Sequence, residues 1–191
     1  MLGGIIAAVF LVAASTIYAS NYFGLQRHLN QVLQGDPRNS GLAVTVHHGS
    51  YVNPSVLVYD LRSVAPTNSA ADVFRVLWQY SERVQDQRFT VVELAYRGKT
   101  KFLVPGAPFQ TLGRQYASQN LMYLIRTFPE NLKSPDGSAA FPQWEGGLLG
   151  VALKQFTGSG IWPRHLWDSE DAPPPTETTG RPNGDEPWNS S

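Results

Sequence analysis

From Leu2 to Gln26 the chain reads LGGIIAAVFLVAASTIYASNYFGLQ, with no charged side chain and no polar stripe. A helix rises about 1.5 Å per residue, so about 20 apolar residues cross a hydrocarbon core of about 30 Å. Residues 2–23 are long enough for that, and Tyr18, Tyr22 and Phe23 gather at one end, as in an interfacial aromatic belt. A run this long and uniform exceeds what a small soluble domain covers. No basic residue precedes it, so the n-region of a secretory signal is lacking, although Ala13, Ala14 and Ser15 are small enough for a peptidase. Residues 1–26 therefore read as an N-terminal transmembrane anchor or uncleaved signal. Gly3, Gly4, Ala7 and Ala8 add a small-residue pattern open to helix–helix approach.

Beyond the apolar head the periodicity changes. Residues 27–40 continue as a helical or linker segment, broken at Gly35 and Pro37. Leu42, Val44, Val46 and His48 alternate with Ala43, Thr45 and His47, and Val56–Leu61 is a second strand-like run. The loop between them holds Gly49, Asn53 and Pro54, so the two read as a hairpin. Val73, Leu77, Tyr80 and Val84 recur at helical spacing, behind an N-cap at Asn68 or Ser69 with Asp72 in capping-box position after Ser69. Phe89–Tyr96 and Lys99–Val104 form a second hairpin across Arg97–Gly98, a register that would set Glu93 opposite Phe102. Helical stretches follow at about 108–118, 120–127 and 145–156. The order predicts an α+β fold: an antiparallel sheet of two hairpins with helices on one face, ββαββα plus C-terminal helices. One globular domain would occupy residues 41–157.

Composition sharpens this division. The 191 residues carry 15 basic and 15 acidic side chains, yet residues 27–156 hold 13 basic against 9 acidic and residues 157–191 hold 2 against 6. Neutrality is a cancellation between a mildly basic domain and an acidic tail. With Pro163, Pro173–Pro175, Pro182 and Pro187, residues 158–191 read as disordered. The basic excess is too small and scattered for a nucleic-acid footprint. The absence of cysteine removes disulfides, thiolate zinc sites and a Cys nucleophile.

Candidate chemistry is sparse. Gly98–Lys99–Thr100 resembles the end of a phosphate loop, but Glu93 stands where its first glycine should be and a strand follows. Adjacent His47 and His48 point to opposite faces of a strand and cannot form one metal site by themselves. His48, Asp60 and Glu93 are the one acid–base set available to a small hydrolase-type enzyme. Against it, each has a plain structural reading: a strand-end histidine, an ordinary carboxylate and a solvated strand residue. Arg114, Tyr116, Asn120, Tyr123 and Arg126 lie at spacings of two to four, with residue types enriched in binding hot spots. Their plain reading is rings that pack and arginines that snorkel. Arg114 and Arg126 would serve an anion or small-ligand sensor. The leading expectation is a membrane-anchored, non-enzymatic α+β domain that binds a protein partner or scaffolds an envelope complex, with no cofactor and no metal. Sidedness is finely balanced. Arg27, His28 and Arg38 follow the span with only Asp36 opposing them, which argues for a cytoplasmic domain. The chargeless N-terminus offers no counter-bias, and the exporting tendency of such spans favours an extracytoplasmic domain.

Overall fold

The computed structural model describes residues 2–119, 124 and 127–140. The apolar head is helix α1 (Leu2–Asn21), followed by a π turn at Tyr22–Gln26 and helix α2 (Arg27–Gly35), one helical rod without a linker. Among the described residues it is the one helix long and apolar enough to cross a membrane, and its apolar window is wholly exposed. The rod changes character at the π turn. Leu25 and Leu29 are fully buried and Val32 nearly so, and all three belong to the domain core. The segment read as a helical linker is thus part of that core. Asn39, buried in the short 3-10 turn Pro37–Asn39, donates to the Val32 carbonyl (2.9 Å) and to Gln79 (2.7 Å).

Four strands follow: β1 (Leu42–Gly49), β2 (Asn53–Val64), β3 (Val91–Tyr96) and β4 (Lys99–Pro105). Helix α3 (Ala70–Arg83) lies between β2 and β3, and α4 (Gly106–Ala117) follows β4. Ser69 caps α3 and Asp72 completes the capping box, satisfying backbone N–H groups that the first turn leaves free. The sheet order is β1-β2-β3-β4.

The expected all-antiparallel sheet is corrected here. β1 pairs with β2 and β3 with β4 antiparallel, but β2 and β3 run parallel, so the sheet is mixed. The cause is the crossover: α3 carries the chain back along the sheet, so β3 begins beside the start of β2. Alternation within a strand specifies its faces and says nothing about a neighbour's direction.

A second correction concerns register. Ala95 faces Thr100 and Leu94 faces Phe102, which leaves Lys101 as an extra residue. This bulge brings Phe102 onto the core side and sets Leu103, not Phe102, opposite Glu93. An unbulged ladder would have turned Phe102 outward, against its apolar character.

One face of the sheet carries Val44, Val46, Leu57, Tyr59, Leu61, Val92 and Val104. It packs against Leu25 and Leu29, against Val76, Leu77 and Tyr80 of α3, and against Phe109 and Leu112 of α4. Both sheet edges are covered. Lys133 exchanges two backbone hydrogen bonds of 2.8 Å with Leu103 on β4. On β1, side chains from the helical rod stand in for a strand: Gln26 accepts from the Val46 N–H (2.9 Å) and Asn21 from the His48 N–H (2.7 Å). Such cover removes the pairing liability of an open edge. Gln87, after α3, donates to the Gly24 carbonyl inside the π turn (2.9 Å) and ties the rod down a third time.

Candidate functional site

The sheet face turned away from the helices holds the ionisable groups. Thr45, His47, Val58, Asp60, Glu93, Ala95 and Thr100 share it by register, and His47, Asp60, Glu93 and Thr100 line a shallow cleft of about 310 Å³. Asp60 is 3% exposed, and both its oxygens are engaged. Oδ2 accepts from the half-exposed Arg62 guanidinium (2.6 Å), and Oδ1 accepts from the Gly98 N–H (3.0 Å). Gly98 sits at φ +83°, so the carboxylate anchors a left-handed turn to the middle of the sheet. Glu93 accepts from the Thr100 hydroxyl at 2.9 Å, across the β3–β4 pair.

His47 lies in this cleft with Nδ1 2.7 Å from the His48 carbonyl. A carbonyl only accepts, so Nδ1 is the donor in this contact and Nε2 is left without that bond. Its ring stacks on Tyr51, with centroids 4.2 Å apart.

His48 occupies the other side of the sheet. It pairs with Leu57 on the helix-facing side and is 9% exposed, and among the described residues its Nδ1 has no hydrogen-bond partner. His48, Asp60 and Glu93 therefore do not converge: the sheet itself separates the histidine from the two carboxylates. The histidine that shares their cleft is His47. Alternation already placed His47 on the Thr45 face, but the pairing of Thr45 with Asp60, which decides the matter, is a register that no local pattern states.

Burial holds His48 below the usual histidine range, and the neighbouring His47 adds to this. The unfolded chain then binds more protons than the folded one below the ordinary value of 6.5, so stability falls with pH from there downward. Thermal unfolding between about pH 7.5 and about pH 5 is expected to show this loss, and His48→Gln is expected to flatten it. An equal slope in both proteins would assign the acid sensitivity elsewhere.

Of the residues expected to meet a partner, Arg114 is exposed on α4 and Tyr116 is half-buried against Trp78, ring centroids 6.5 Å apart. Two residues apart on a helix, they face different ways. Asn120, Tyr123 and Arg126 lie outside the described residues, as do the helix expected at 145–156 and the tail at 158–191. A second, more apolar cleft of about 280 Å³ lies where α4 meets Leu124, Thr127 and Phe128. Among the described residues, no three His, Cys, Asp or Glu side chains are placed to hold a metal ion. Deeper in the core, the Tyr59 and Tyr80 hydroxyls are buried with no hydrogen-bond partner among the described residues, and burial pushes both phenols above their ordinary range.

Comparison with protein-family models, with curated proteins and with solved structures gives no match to this chain.

Proposed function

We propose that the chain is a single-span membrane protein with residues 2–23 in the bilayer and a non-enzymatic α+β domain that binds a protein partner or scaffolds an envelope complex. The observation that carries this reading is the helical rod. Residues 3–18 are exposed and predominantly apolar, and the rod enters the domain core at Leu25 with no intervening linker. A domain held this way is presented at a defined height above the membrane, which suits assembly with a neighbour more than capture of a diffusing substrate.

The use of the ionisable groups supports the non-catalytic part. Asp60 is committed to Arg62 and Gly98, Glu93 accepts from Thr100, and His48 lies across the sheet from both. The acid–base set expected of a small hydrolase, His48 with Asp60 and Glu93, is thus not gathered in one cleft. The proposed contact surface includes Arg114, Tyr116, Asn120, Tyr123 and Arg126, and the proposed location of the domain is extracytoplasmic.

Affinity capture from detergent-solubilised membranes tests the partner, comparing wild type with Tyr123→Ala and Arg126→Ala. A hot spot should lower recovery of one partner about tenfold, equivalent to about 1.4 kcal/mol. Identical recovery from all three proteins would remove this surface from the proposal. A reporter enzyme fused after Ser191, active on one side of the membrane only, tests the location.

A further inference from the structure

We propose that the β1–β2 turn is a second membrane contact, with Tyr51 and Val52 seated in the interfacial zone of the bilayer that α1 spans. This rests on reading α1 as a span. Turn tips favour Gly, Asn, Asp and Pro for their backbone freedom or local hydrogen bonding. This tip instead presents Tyr51 and Val52, 57% and 61% exposed, and no charged side chain occurs from Gly49 to Leu57. Ser50 and Tyr51 hold φ values of +47° and +65°, a left-handed conformation that glycine adopts far more readily than other residues. An apolar, aromatic tip is thus kept where glycine would be easier.

The height of the turn is set by Asn21. Its Nδ2 donates to the carbonyls of Ile17 and Tyr51, both at 2.8 Å, while its Oδ1 accepts from the His48 N–H. The 20 residues of α1 rise about 30 Å, the thickness of the hydrocarbon core, so Asn21 stands where hydrocarbon gives way to headgroups. Tyr18, Tyr22 and Phe23 cluster at the same level, Tyr18 stacked on Tyr22 at 5.8 Å and Tyr22 edge-on to Phe23 at 5.2 Å. Tyrosine suits this zone because its ring is apolar and its hydroxyl wet.

Direction agrees with height. The rod contacts β1 at Asn21–His48 and again at Gln26–Val46. Five residues of helix rise about 7.5 Å and two residues of strand about 6.6 Å, so strand and rod run side by side. The strands therefore stand up from the membrane with the β1–β2 turn at their foot. His47, stacked on Tyr51, braces the ring from the strand above. A span alone leaves a domain free to rotate and tilt about it; a second contact beside the span fixes its orientation.

The lack of native cysteine allows a single engineered thiol to carry an environment-sensitive fluorophore without background. The full chain is placed in phosphatidylcholine vesicles containing lipid quenchers at either shallow or deep positions. Probes sit at Val52→Cys, at Phe10→Cys within α1, and at Ser63→Cys, about 30 Å along β2 from the turn. The expected result is a blue-shifted Val52 probe quenched several-fold more by the shallow label than the Ser63 probe, with the Phe10 probe quenched most by the deep label. A Phe10 probe quenched deeply beside a Val52 probe indistinguishable from Ser63 would overturn the turn contact and leave the span standing. A Phe10 probe quenched by neither label would overturn the span and the contact together.

Discussion

A fragment beginning at Gly41 is expected not to fold, whereas one beginning at Asn21 is expected to unfold cooperatively in urea. Punctuation by Gly35, Pro37 and Gly41 makes residue 41 the obvious domain boundary in the sequence. Cutting there removes Leu25, Leu29 and Val32 from the core. Burial of one such side chain is worth about 1.5–3 kcal/mol, so the loss of three approaches the whole stability of a domain, about 5–15 kcal/mol. The cut also strips Gln26 and Asn21 from β1, leaving the N–H groups of Val46 and His48 on an open edge. Circular dichroism and urea titration of the two fragments decide the matter. A cooperative transition of the Gly41 fragment at the midpoint of the longer one would show that the rod is accessory.

Gly106→Ala is expected to be the most damaging single substitution among the glycines described. Gly106 opens α4 immediately after β4, with its N–H donated to the Thr90 carbonyl at 2.9 Å. A Cβ there would run into the carbonyl oxygen of Phe89, a backbone atom that cannot swing aside as a side-chain tip can. Either α4 shifts off the sheet or the β3 approach does, and both disturb the packing of Phe89 against Phe109. The expected cost is about 3 kcal/mol or more, at the severe end of overpacking. For a chain of this size that corresponds to a drop of about 6–12 °C in melting temperature. Gly35→Ala is the matched control, since a Cβ there meets nothing within 4 Å. Equal melting temperatures for the two variants would refute the close approach. Gly113, whose Cβ would meet the Ser81 carbonyl, should behave like Gly106 because α3 and α4 touch backbone to backbone there.

These expectations mark where local pattern ended. The helix from Ala70 was legible because its cap, its Asp72 and its apolar spacing are all encoded within a few turns. The faces of β1 were legible for the same reason: side chains alternate on a strand whatever surrounds it. The core role of Leu25, Leu29 and Val32 was less visible, because three apolar residues among polar ones are also what a short amphipathic linker shows. The candidate site was hardest. His48 resembled a partner for Asp60 from sequence proximity of their strands, and register put Thr45 opposite Asp60 instead. Asn21 and Gln26 gave no signal at all, since a polar side chain that completes a strand edge looks like any other at the end of an apolar helix.

By itself, then, the amino-acid order determined the apolar helix, the α+β content and the faces of the β1 residues. These depend on interactions within about a turn or a strand length. The tertiary structure alone decided the parallel pairing of β2 with β3, the bulge at Lys101 and the continuity of rod and core. It also decided the separation of His48 from the carboxylates and the place of Tyr51 beside Asn21. Each of these depends on which distant segments meet and in what register. That choice is made by burying one shared apolar face, and no single stretch of chain contains it.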